Sequence, residues 1–118
     1  MGSLPNPGEL VSAIETAVSK AVGKDISNIK GFSKDQALRI EKLTIRLGEM
    51  IAAGEFKDDP EGEQFYRDIL ADLISNLTKT LKGLSVIAVQ HAWNAVVDVV
   101  WKALDKATGL ALPRPIPV

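Results

Sequence analysis

No cysteine occurs anywhere in the chain. That excludes disulfide stapling, thiolate catalysis and cysteine-ligated zinc, and it leaves the redox compartment open. Histidine is nearly as scarce: His91 stands alone. A zinc site needs three or four ligands, commonly paired at i and i+3 or i+4 on a helix, and no acid stands at such a step from His91, Asp98 being seven residues on. A metal is therefore not expected on one chain; only a symmetric assembly pooling several copies of His91 would offer one. Neither sign of charge is in excess. Fourteen basic and 15 acidic residues leave a net charge of −1, so no bulk field recruits nucleic acid.

Catalytic and cofactor signatures are missing as well. There is no phosphate loop, dinucleotide fingerprint or nucleophile elbow, so neither a cofactor nor an enzymatic activity is expected. Asp58, Asp59, Glu61 and Glu63 do form an acidic cluster. Carboxylate pairs perform acid–base chemistry only in a concave site that shifts their pKa values, and helix capping is the simpler role here. The opening MGSLPNPGEL has no basic segment followed by an apolar core, hence no signal peptide is expected and a cytoplasmic or virion-associated location is.

Proline is confined to the two ends and to Pro60. Its absence elsewhere points to long uninterrupted helices, and no stretch alternates in the manner of a strand. The expected fold is all-α, a helical hairpin or bundle forming a single domain over 1–118, with a shorter N-terminal helix, a middle helix, a long C-terminal helix and an extended proline-rich tail.

What is present defines those elements. After a lead-in marked by Pro5, Pro7 and Gly8, Val11, Ile14, Ala17, Val18 and Ala21 recur at three- and four-residue steps, predicting a helix over about 8–22 that Gly23 ends. Ile26 and Ile29 follow in a connector and are expected against the core. Ser33 with Gln36 forms a capping-box pattern, opening a helix over about 34–53 that closes at Gly54, with Phe56 able to fold back over its last turn. Asp59-Pro60-Glu61 supplies an N-cap acceptor, a proline at the first helical position and acids at the positive helix end. Beyond it, polar residues from Asp72 and Asn76 through Gly83 to Asn94, Asp98 and Asp105 stay in one arc at about 100° per residue. That continuity predicts one helix over about 60–107, roughly 70 Å long, with a kink at Lys82-Gly83 as the alternative.

The C-terminal half of this helix is apolar over most of its circumference. Val86, Val89, Trp93, Val97, Val100 and Leu104 form one stripe; Leu84, Ala88, Ala92, Ala95, Val99 and Ala103 form another. A single shorter neighbour covers only part of this, so the first stripe is the expected surface for self-association into a homo-oligomer. Leu84 to Leu104 is also nearly long enough to span a bilayer, but Gln90, His91, Asn94, Asp98 and Lys102 oppose single-pass insertion. An amphipathic helix lying at a membrane interface, or a pore-like oligomer, is the alternative function. In the tail, Leu112, Pro113, Arg114 and Pro115 favour a polyproline-like conformation and offer a docking peptide for a protein partner.

The segment LTKTLKGLSVIAVQHAWNAVVDVVWKALDKATGLALPRP resembles small helical proteins encoded in tailed-phage and prophage genomes, with an echo at KGFSKDQ. The resemblance covers roughly the last third to half of the chain and carries no catalytic motif. It implies a phage context in which small oligomeric helical proteins serve virion structure, assembly or host takeover. The functional expectation is a non-enzymatic, self-associating structural or assembly protein.

Overall fold

Glycines and side-chain caps cut the chain into four helices. They are α1 (Glu9–Val22), α2 (Lys34–Ala52), α3 (Pro60–Lys79) and α4 (Val86–Thr108), with a 3-10 turn at Ile26–Asn28 between the first two. The computed structural model describes residue 6 and residues 8–115, and among these no strand occurs. Pro5 and Pro7 of the lead-in, and residues 116–118 of the tail, lie outside the described residues.

Most helix ends follow from local chemistry. Ser33 accepts the Gln36 backbone N–H at 3.2 Å, but Gln36 Oε1 is buried without a partner, so the return half of the capping box is not made. Asp59 accepts the Gly62 N–H at 2.9 Å and Pro60 occupies the first helical position. Asp59 thereby satisfies an N–H group that has no partner within the helix, and Glu61 and Glu63 lie in the positive first turn. Ile29 is buried and Ile26 packs against the core, as their placement in the connector predicts, and Phe56 also packs against the core, with its ring 5.7 Å from that of Tyr66.

The start of α1 is different. Gly8 has no side chain to act as a cap, and the acceptor comes from another helix: the Glu41 carboxylate in α2 takes the Gly8 N–H at 2.9 Å and the Val11 N–H at 3.0 Å. Glu41 is 2% exposed. Its negative charge sits at the positive end of the α1 dipole, and both oxygens are satisfied, so a buried carboxylate here is tolerated and ties α1 to α2.

The single helix predicted over 60–107 does not form. The chain measures 44 Å in its longest dimension, too short for a rod of roughly 70 Å. α3 stops at Lys79, and residues 80–85 turn the chain back as α4. Gly83 adopts φ +74°, the left-handed region that glycine enters without a Cβ penalty. Ser85 then restarts a helix by accepting the Ala88 N–H at 3.1 Å. The connector is pinned from outside as well: the Lys82 N–H donates to the Lys30 carbonyl at 2.8 Å and the Thr80 hydroxyl to the Gly31 carbonyl at 3.1 Å. The polar arc runs through the break because each helix separately turns a polar side to water, and the two sides happen to agree in phase.

Folding back creates a four-helix bundle. α4 packs on all three other helices, most extensively on α1; α2 touches α1 and α3; α1 and α3 do not pack on each other. The core is Ile14 and Val18 from α1, Ile40 and Leu47 from α2, Leu70, Ile74 and Leu77 from α3, and Val96, Val100, Trp101 and Leu104 from α4, all almost wholly buried.

Candidate interaction surface

α4 carries both features expected to meet partners, the apolar stripe and the tail that follows it. At about 34 Å for its 23 residues, it spans much of the molecule's length. Its stripe divides sharply. Val100 and Leu104 have no exposed surface, and Trp93 and Val97 are each 5% exposed. These four residues belong to the chain's own core, which corrects the expectation that they form an oligomer interface. The reason is topological: with the long helix broken, α1 and α2 reach the face that a single rod would have left bare. Neither tryptophan is available as a membrane anchor, since Trp101 is also buried, and no helix among the described residues is long and apolar enough to cross a membrane.

The other end of the stripe stays outside. Val86 is 74% exposed and its neighbour Ile87 65%, while Val89 is half-buried. The two exposed side chains are adjacent in the first turn of α4, with half-buried Leu84 just before them. Leu38, Phe65 and Leu110 are also exposed, but on separate elements, as scattered apolar residues commonly are. The second predicted stripe is mostly half-buried, with Ala92 alone fully buried.

The tail folds back onto α4. Leu112 is buried, and its N–H donates to Asp105 Oδ1 at 3.0 Å. The Pro113 carbonyl accepts the Trp101 indole N–H at 2.8 Å. Arg114 lies 3.5 Å from the Asp105 carboxylate and 3.9 Å from Asp98, and Pro115 is half-buried. Of the four residues predicted to offer a docking peptide, Leu112, Pro113 and Arg114 are thus already held by their own chain. The sequence placed Asp98 and Asp105 in a polar stripe without showing what that stripe contacts; the tail's Arg114 is the missing partner.

His91 is exposed beside Gln90 and Asn94, and among the described residues no group of three or more histidines and carboxylates could hold a metal. Two clefts open along α1. One, of about 380 Å³, is lined by Val11, Ser12, Glu15, Lys34 and Leu38; the other, of about 390 Å³, by Ser12, Glu15, Thr16, Ser19, Lys20 and Ile26. Both contain side chains of both charges, none of them buried. No family model, curated protein or solved structure matches the chain.

Proposed function

We propose that this protein acts by binding rather than catalysis, as a small helical assembly component that self-associates through the first turn of α4, in the virion or assembly setting that the resemblance to tailed-phage and prophage proteins implies. One observation carries the reading: Val86 and Ile87, adjacent aliphatic side chains, project into solvent from a bundle that buries Trp93, Val97, Val100 and Leu104 of the stripe Val86 begins. Two such side chains supply far less than the ~800 Å² per partner of a stable interface. The association is accordingly weak between isolated molecules and becomes effective where many copies are held together.

Light scattering or sedimentation across a concentration series up to about 1 mM, where weak complexes become populated, tests this. The average mass is expected to rise above 12.7 kDa with concentration for the native chain and to rise distinctly less for Val86→Asp/Ile87→Asp. A native chain that remains monomeric throughout removes the proposal, and a substituted chain that associates equally well moves the contact elsewhere.

A further inference from the structure

The contacts of the tail are those of a recognised peptide. Asp98, Trp101 and Asp105 stand at i, i+3 and i+7 on α4 and therefore share one face. Against them, three consecutive tail residues present four different chemical groups: the buried Leu112 side chain, the Leu112 N–H on Asp105, the Pro113 carbonyl on the Trp101 indole, and the Arg114 guanidinium between two carboxylates. Trp101 is 1% exposed, and a buried indole N–H without an acceptor is unfavourable. Among the described residues Asp105 has its ion pair with Arg114, whereas Asp98 is also paired with Lys102 at 2.9 Å. Prolines on both sides of Arg114 hold an extended backbone in advance, which lowers the entropy lost on docking.

A glycine precedes the tail. Gly109 ends α4 at φ +73°, and Leu110 and Ala111 behind it are exposed. Rotation at Gly109 would lift Leu112–Pro115 away without unwinding the helix. The same segment arriving from a second copy finds the same groups, so exchange between molecules conserves every contact, and local concentration decides which tail is bound.

We propose that the α4 slot formed by Asp98, Trp101 and Asp105 is a peptide-recognition site for an extended Leu-Pro-Arg-Pro segment, filled by the chain's own tail in the isolated molecule and by the tail of a second copy when molecules are crowded. The slot lies on other residues than the Val86–Ile87 patch and stands independently of it.

The full-length chain carrying Leu112→Asp and Arg114→Glu should open the slot. In its proton–nitrogen spectrum the Trp101 indole signal is expected to move from its native position and lose protection from exchange. Adding a synthetic peptide of residues 110–118 should return that signal saturably. The same peptide with both substitutions should bind at least about tenfold more weakly, having lost its apolar anchor and its cation. A Trp101 signal unmoved by the native peptide, with the rest of the spectrum native, overturns the proposal. Should the double variant lose its helical circular dichroism, the native chain is titrated with the same peptide bearing a terminal nitroxide. Broadening of the Trp101 signal supports the site; no broadening at excess peptide overturns it.

Exchange between copies is tested by charge reversal. Arg114→Asp chains are mixed with Asp98→Arg/Asp105→Arg chains, neither of which can close on itself. A native-like Trp101 signal and a two-chain mass appearing only on mixing support exchange, and an unchanged spectrum and mass overturn it. Val86→Asp/Ile87→Asp in every arm should leave these results unaltered, which separates failure of the slot from failure of the patch.

Discussion

The two ends of the α4 stripe have the same composition and opposite fates. Val97, Val100 and Leu104 are enclosed by neighbouring helices, while Val86 and Ile87, about three to five turns earlier, face solvent. Hydrophobicity does not distinguish them, since valines occur at both ends. What differs is whether another helix passes alongside, and that depends on where α3 stops and the chain reverses. An apolar stripe therefore identifies a surface that favours burial without stating whether its cover comes from the same chain or another.

Substitutions along the stripe and at its boundary should reproduce that difference. The largest effect is expected at the enclosed end: Leu104→Ala leaves a cavity under fully buried surface and should lower unfolding stability by about 2–5 kcal/mol in urea titration. A loss below about 1 kcal/mol would mean that the cores of α1 and α4 are not closely packed. Next comes the crossing that places the reversal. Gly31 has φ +83°, and a Cβ there would collide with the Thr80 carbonyl oxygen. Gly31→Ala should cost more than the ~1–2 kcal/mol of left-handed backbone alone. Gly83→Ala, with open space around it, should cost only that backbone amount, so equal losses at the two glycines would deny the close crossing.

Smaller effects belong to the exposed end. Ser85→Ala removes the cap of α4 and should cost about 1 kcal/mol, read as a lower thermal midpoint. Val86→Asp should do the reverse on stability, because it replaces an exposed valine by an acid at the positive end of the helix. A gain of about 0.3–1 kcal/mol is expected from unfolding curves, declining with added salt, together with weaker self-association. A clear destabilisation by Val86→Asp would show that this end of the stripe is covered after all.

Some elements were legible because their signals are local. Asp59-Pro60, Ser33 and the terminal glycines Gly23 and Gly54 each act within a turn, so the starts and ends of α1 and α2 and the start of α3 fall within about two residues of expectation. The reversal at Gly83–Ser85 also carried a local signal, a glycine stop followed two residues later by a serine cap. Phase continuity concealed it: the polar sides of α3 and α4 fall in one arc although two separate helices make them. Glu41 gave no local signal at all. It reads as one more charged residue of an amphipathic helix, and only the approach of Gly8 and Val11, more than 29 residues earlier, turns it into the cap of α1.

The candidate surface was legible in the same uneven way. Composition and spacing marked α4 and the Leu112–Pro115 segment as the places to look. They could not show that the two meet, because the pairing of Arg114 with Asp98 and Asp105 depends on a turn at Gly109.

By itself, then, the sequence determined that this chain is helical and where most helices begin and end. Hydrophobic period, capping side chains and proline act through neighbours within about one turn, and those neighbours are fixed by order along the chain. Only the tertiary structure decided which half of the α4 stripe is core, which acid caps α1 and where the tail rests. Each of those outcomes depends on residues far apart in the chain being brought within contact distance.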